Sequence, residues 1–191
     1  MSFTERKVVY FDQTGTKNTD TILKLVKNYA EKEDIKDILV ASTTGETGAK
    51  TAKIFKGYNV IVVTHASGFK EPGKNELEEP YKKDTLAEGA KIFTGTHALS
   101  SAERAVRKDF GTIQTLEIIA NVLRLMGEGT KVCVEITLMA ADAGLIPMDR
   151  DVVAIAGTGR GADTALRISP AHAANFFRLK IKEVIAKPRE F

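Results

Sequence analysis

The chain has 191 residues, 28 Lys and Arg against 25 Asp and Glu, a formal net charge of +3 and 43% hydrophobic residues. That length suits one domain with a sizeable core, and the scattered charge argues against a nucleic-acid binder, which gathers its basic residues on one face. A single cysteine excludes both a disulfide framework within the chain and a cysteine-based metal site.

At the start, MSFTERKVVYF carries no signal-type apolar segment, and no apolar run approaches the roughly 18 residues needed to span a bilayer. A cytoplasmic protein without membrane association is expected. The abundance of Lys and Glu would suit a thermophile. Short β-branched runs then alternate with helical patterns, which predicts a layered α/β fold in a single domain, 1–191. The predicted strands are 7–11, 37–42, 59–65, 91–96, 131–137, 152–157 and 165–169. Residues 19–33 form an amphipathic helix with Ile22, Leu25, Val26 and Tyr29 on one stripe. Residues 112–126 form a helix apolar on two sides, Ile113, Leu116, Ala120 and Leu123 against Ile118, Val122 and Leu125. A helix of that kind is buried on both sides, centrally or at a subunit interface, so a homo-oligomer is a candidate. Residues 67–80 read as a long loop, either a functional lid or a surface excursion. Near the end, SPAHAANFF reads as a short helix capped by Ser169 with Pro170 at its first position, and RLKIKEVIA as a candidate edge strand.

The segment 40–51, VASTTGETGAKT, joins a predicted strand to a helical pattern. A Walker loop would need Gly at positions 44 and 49; Thr44 and Ala49 stand there, so nucleotide hydrolysis of that kind is excluded. The ingredients of an anion cradle remain. Ser42, Thr43, Thr44 and Thr47 offer hydroxyls, Gly45 and Gly48 allow positive φ, and a helix starting near Thr47, with Glu46 before it, aims its positive end at the same point. An ordinary capped turn is the plainer alternative. A second glycine-rich stretch, AIAGTGRGADTALRIS (154–169), matches the dinucleotide fingerprint at Gly157, Gly159 and Ala162 but runs into another strand instead of a helix, so a dinucleotide fold is rejected. Gly157, Thr158, Gly159, Arg160, Gly161 and Thr164 are read as a second anion-contacting loop, Arg160 being able to grip phosphate bidentately. A hairpin with a solvated Arg is the alternative.

Two predicted strands end alike, VVTH and TGTH, and place Thr64, His65, Thr96 and His97, with Phe69, where ligands of open α/β sheets collect. Glu135 interrupts an apolar run, and a buried carboxylate needs partners and often marks a site. His65, His97 and Glu135 are the candidate catalytic groups. Cys133, in KVCVEIT, reads as a buried strand residue with nothing nearby in sequence to lower its pKa. No zinc motif, esterase elbow or paired-carboxylate signature is present, and no metal is expected.

The segments DILVASTTGETGAKTAKIFKGYNVIVVTH and DVVAIAGTGRGADTALRIS resemble the C-terminal α/β domain of pyruvate kinase, over roughly residues 19–169. The resemblance implies a three-layer α/β/α fold with a mostly parallel central sheet. In many pyruvate kinases this domain binds a sugar bisphosphate allosterically, and carried over that puts Ser42, Thr43, Thr44, Gly45 and Thr47 on a phosphate with the 157–164 turn nearby. The chain departs from the kinases in lacking their catalytic barrel, in an extra strand at 7–11 and in Glu46, where the kinase loop often has a basic residue. It is more similar to a small group of stand-alone, largely archaeal proteins of the fold, for which FMN is a suggested ligand. The expectation is a protein that binds a phosphorylated small molecule, FMN foremost. The alternatives are an FMN-dependent or phosphometabolite enzyme using His65, His97 or Glu135, and a sugar-phosphate-sensing module that works through a partner.

Overall fold

The computed structural model describes residues 3–191. Seven strands, β1 (Val9–Phe11), β2 (Asp37–Ala41), β3 (Asn59–Thr64), β4 (Lys91–Thr94), β5 (Val152–Ala156), β6 (Thr164–Ser169) and β7 (Lys180–Pro188), form one sheet in the order β1-β7-β6-β5-β2-β3-β4. Strands β5, β2, β3 and β4 run parallel; β6 is antiparallel to both β5 and β7, and β1 lies parallel to β7. The mostly parallel sheet matches the expectation.

Six helices cover it: α1 (Thr19–Lys32), α2 (Glu46–Ile54), α3 (Glu79–Ala87), α4 (Ser101–Phe110), α5 (Thr115–Arg124) and α6 (Glu128–Asp142). Strand parity decides which residues meet which layer. Ile38, Val40, Val60, Val62, Val153 and Ile155 face Ile22, Leu23 and Val26 of α1 and Ala52 and Phe55 beside α2. Their neighbours Leu39, Ile61, Val63, Val152 and Ala154 face Cys133, Ile136, Met139 and Ala140 of α6. Because both faces are covered, the central strands are continuously apolar and wholly or nearly wholly buried.

Residues 131–137 are not a strand. They lie within α6, which is buried from Gly129 to Ala141 except for Val132 on the cleft wall. The β-branched residues suggested a strand, but a helix packed between the sheet and α5 is apolar all round, and tertiary burial overrides that propensity. Its threonines fit because Thr137 Oγ1 donates to the Cys133 carbonyl at 2.8 Å, satisfying the hydroxyl one turn back.

The C-terminal expectations also change. Ser169 closes β6 and Pro170 keeps its predecessor extended, so the short helix is a 3-10 segment at Ala173–Arg178 whose N-cap is His172. Strand β7 is internal, between β6 and β1, and the sheet edges are β1 and β4. Along α5, Ala120 is buried, with Leu116 and Leu123 packed partly against α6, whereas Ile118, Val122 and Leu125 are exposed. Among the described residues, no helix is long and apolar enough to cross a membrane.

Candidate functional site

The chain runs from β2 outward to β3 and β4, then returns through α6 to place β5 on the other side of β2. The carboxyl ends of β2 and β5 are therefore a topological switch point, where the loops diverge and leave a crevice. A cleft of about 720 Å³ opens there, lined by residues 42–44, 46 and 47 from the first loop and by Gly157, Gly159, Arg160 and Gly161 from the β5–β6 turn. The two stretches singled out in the sequence thus face each other.

Gly45 is the N-cap of α2 at φ +100°, the left-handed region that glycine tolerates, and the helix begins at Glu46. A Cβ on Gly45 would come within 2.7 Å of Leu77 Cδ1 and Tyr81 Cβ, so the 65–78 loop and α3 close over it. Gly48 has another task than the one expected. It is helical, its N–H donates to Ser42 Oγ at 3.0 Å, and a Cβ there would stand 2.5 Å from Val62 Cγ1. Gly48 lets α2 lie on β3, while Ser42 caps the helix. Among the described residues, the N–H groups of Thr43, Thr44, Gly45, Glu46 and Thr47 donate to no protein acceptor. Free amide groups at a helix N-terminus, flanked by the hydroxyls of Thr43, Thr44 and Thr47, are a cradle for a tetrahedral anion.

The opposite wall is tied down by Asp163, fully buried, whose carboxylate accepts the Gly15 N–H at 2.8 Å and the Thr158 N–H at 3.0 Å. Thr164 Oγ1 donates to the same carboxylate at 2.8 Å and is turned away from the cleft, beneath Gly129. Thr158 and Thr164 therefore shape the turn, and Arg160 is its exposed cation. Three carboxylates, Glu46, Glu78 and Glu128, also line the cleft. Glu46 pairs with Lys50 at 3.1 Å and Glu128 with Arg124 at 2.6 Å. The remaining wall includes Thr16, Ala41, Tyr81 and Val132.

An inner chamber of about 220 Å³ adjoins the cleft and shares Ala41, Ser42, Thr43, His65, Glu128 and Val132 with it. His65 Nδ1 lies 2.8 Å from Glu76 Oε2, and its Nε2 lies 3.4 Å from Thr43 Oγ1. The carboxylate accepts a hydrogen bond from Nδ1–H, which leaves Nε2 to accept from the hydroxyl, so a hydroxyl–imidazole–carboxylate chain runs across the seam. Hydrogen bonds from Lys70 and His65 hold the Glu76 carboxyl below its usual range. The backbone here is tied to the loop, the His65 carbonyl accepting from Asn75 Nδ2 at 2.9 Å. The 65–78 loop is no free excursion: its side chains build this corner, and the Glu78 N–H donates to the Thr44 carbonyl at 2.9 Å.

His97 accepts the Ala66 N–H at Nε2, 3.3 Å away, which leaves its proton on Nδ1, facing Glu135 at 3.9 Å. Burial lowers its pKa; Glu135 opposes that effect, while His65, Lys131 and Arg104 reinforce it. Glu135 is buried and accepts from Lys131 Nζ at 2.5 Å and from the Leu99 N–H at 3.0 Å. Phe69 packs against both imidazoles, with ring centroids 4.2 Å from His65 and 5.3 Å from His97. Thr64 lines the chamber, whereas Thr96 is exposed and lines neither cavity. Cys133 is fully buried on the helix, donates to the Ala154 carbonyl at 3.3 Å, and has its thiol pKa pushed up by burial.

Glu76, Tyr81, Arg104, Glu128 and Lys131 were not foreseen. Lys131 carried a signal: once 128–142 is helical, it stands at i, i+4 from Glu135 on one face.

Comparison with protein-family models matches residues 20–168 to "Pyruvate kinase, alpha/beta domain". The chain belongs to this family. Solved structures of pyruvate kinase from Cryptosporidium parvum are similar to it. One is 17% identical with a TM-score of 0.37, and the match covers 78% of this chain and 22% of the kinase. Another, a complex with ADP, is 16% identical with a TM-score of 0.37, covering 88% and 23%. The chain thus spans less than a quarter of the length of these kinases.

Proposed function

We propose that this member of the pyruvate kinase α/β-domain family is a cytoplasmic protein that binds a phosphorylated small molecule, FMN foremost, in the cleft between the 42–47 loop and the β5–β6 turn. The observation that carries the reading is the set of five N–H groups, residues 43–47, without protein acceptors at the start of α2. A phosphate satisfies them and gains from the helix dipole, and Arg160 adds a bidentate donor from the other wall.

The rest of the lining fits FMN. A cleft of about 720 Å³ lies within the 300–1,000 Å³ range of small-molecule sites. Tyr81, Ala41 and Val132 offer an apolar wall for a ring system. Glu46, Glu78 and Glu128 would repel a phosphate at close range but accept hydrogen bonds from the hydroxyls of a ribityl or sugar chain. When bound, FMN supplies reversible electron transfer; the chain's own residues bind and orient it and shed water from the cradle.

Equilibrium titration separates the ligands. FMN should stabilise the protein, and purified protein should carry a flavin spectrum. Protein that responds to sugar phosphates and not to FMN would instead support the sensing module. An enzymatic role is favoured by one observation, the Thr43–His65–Glu76 chain, which can move a proton at the cleft wall. Bleaching of bound flavin by NADH would support that role.

A further inference from the structure

The inner chamber holds more hydrogen-bond donors than acceptors. Lys131 is only 6% exposed, and its ammonium carries three donors but meets a single protein acceptor, Glu135 Oε2 at 2.5 Å. Glu135, 4% exposed, has its other oxygen occupied by the Leu99 N–H. Arg104 lies over the Phe69 ring, 4.6 Å from its centroid, and pairs with no carboxylate among the described residues. The Nδ1–H of His97 points at Glu135 from 3.9 Å, beyond hydrogen-bond reach. All four side chains line the same chamber.

A buried ion pair seldom adds stability over apolar residues of the same size, because two desolvated charges cost about what their attraction returns. Lys131 and Glu135 lie on the buried first half of α6, against a cavity, where that cost has no packing benefit. A ligand bearing acceptors and negative charge would use the spare donors. Val63, Phe69, Ile136 and Met139 give the chamber an apolar side, and Ser42, Thr43, Ser100 and the paired Arg124 and Glu128 complete its polar rim. The volume, about 220 Å³, equals roughly seven waters at about 30 Å³ each, enough for a short acid and too little for a nucleotide.

We propose that the inner chamber binds a small carboxylate, its oxygens held by Lys131, Arg104 and the Nδ1–H of His97, with a short apolar stem against Phe69 and Ile136. Two carboxylates line the chamber and both are paired: Glu135 accepts from Lys131 and the Leu99 N–H, and Glu128 accepts from Arg124 Nε at 2.6 Å. The chamber adjoins the phosphate cradle, sharing Ser42, Thr43 and His65 with it and Ala41, Glu128 and Val132 with the rest of the cleft.

The test is calorimetric titration and thermal shift with butyrate, inorganic phosphate and chloride as separate arms at constant ionic strength. Butyrate should bind and raise the melting temperature, phosphate should act only through the outer cleft, and chloride should have no effect. Arg104→Met, a surface change that leaves the core intact, should weaken butyrate about tenfold. The double variant Lys131→Met/Glu135→Gln, which keeps an acceptor for the Leu99 N–H, should weaken it about thirtyfold or more. Without ligand it should melt at or above the wild-type temperature. The proposal is overturned by no butyrate response at about 10 mM, by a response equal to that of chloride, or by unchanged affinity in both variants. An FMN response without a butyrate response overturns this proposal alone; butyrate without FMN overturns the cleft reading alone.

Discussion

Gly48→Ala puts the cradle's architecture under direct strain. The added Cβ would stand 2.5 Å from Val62 Cγ1, 3.1 Å from Val62 Cγ2 and 3.4 Å from Ser42 Cβ, where carbon atoms pack best at about 3.5–4.0 Å. Val62 cannot yield easily. It is fully buried in β3, hydrogen-bonded to strands on both sides, and β-branched with little rotamer choice. The helix must therefore lift, by about 1 Å, which also pulls the Gly48 N–H from Ser42 Oγ. Overpacking of this kind costs about 1–3 kcal/mol, and the gain in helix propensity returns at most about 1 kcal/mol. The expected net loss is about 1–2 kcal/mol by urea denaturation, with FMN affinity falling too because the N–H groups move with the helix. Val62→Ala should partly relieve it, so the double variant should lose less than the sum of the single changes. If helix propensity alone governed the site, Gly48→Ala would stabilise by a few tenths to about 1 kcal/mol. A variant as stable as wild type or more so refutes the close-approach argument.

Further outcomes follow from the same geometry. Burial holds His97 neutral below its ordinary value of 6.5, so as pH falls under about 6.5 the unfolded chain takes up a proton that the folded chain refuses. That contribution to stability is complete above 6.5 and declines on acidification; melting temperatures from pH 7.5 to 5.5 should show a fall that His97→Gln flattens, and an equal fall in the variant refutes it. Ser42→Ala removes the acceptor of a buried N–H and should cost about 1–3 kcal/mol in a urea melt; a loss under about 0.5 kcal/mol would show that the cap is dispensable. Native Cys133 should resist thiol reagents until denaturant is added, because it is fully buried with its pKa raised; immediate modification contradicts that placement. Val122→Glu on the exposed stripe of α5 should lower the mass seen by sedimentation if that stripe joins copies of the chain; an unchanged mass counts against such an interface.

The fold was legible where burial and sequence pattern agree. The runs at 37–42, 59–65 and 152–157 are apolar because both faces of the sheet are covered, and they are strands. At 131–137 the same β-branched residues misled, because side-chain type does not separate a buried strand from a buried helix. Length does: from Thr130 to Ala141 the only charged residues are Lys131 and Glu135, a run too long for a typical strand, and Gly127 before it marks a helix start. The two facing loops were legible as well, since hydroxyls and glycines at strand ends have few other uses. The roles within them were not. Gly45 and Gly48 look alike in sequence, yet only Gly45 has positive φ, and Val62, which decides the role of Gly48, lies on another strand. Glu76 meets His65 from a loop and Arg104 reaches the inner chamber from α4, and such long-range meetings leave no local pattern.

The most direct measurement is fluorescence titration of FMN into the purified protein, wild type beside Thr44→Ala. The account expects saturable, one-site binding, weakened about tenfold in the variant by loss of a hydrogen bond to a charged phosphate. No binding by the wild type, or equal affinity in the two proteins, would contradict the phosphate cradle at the start of α2.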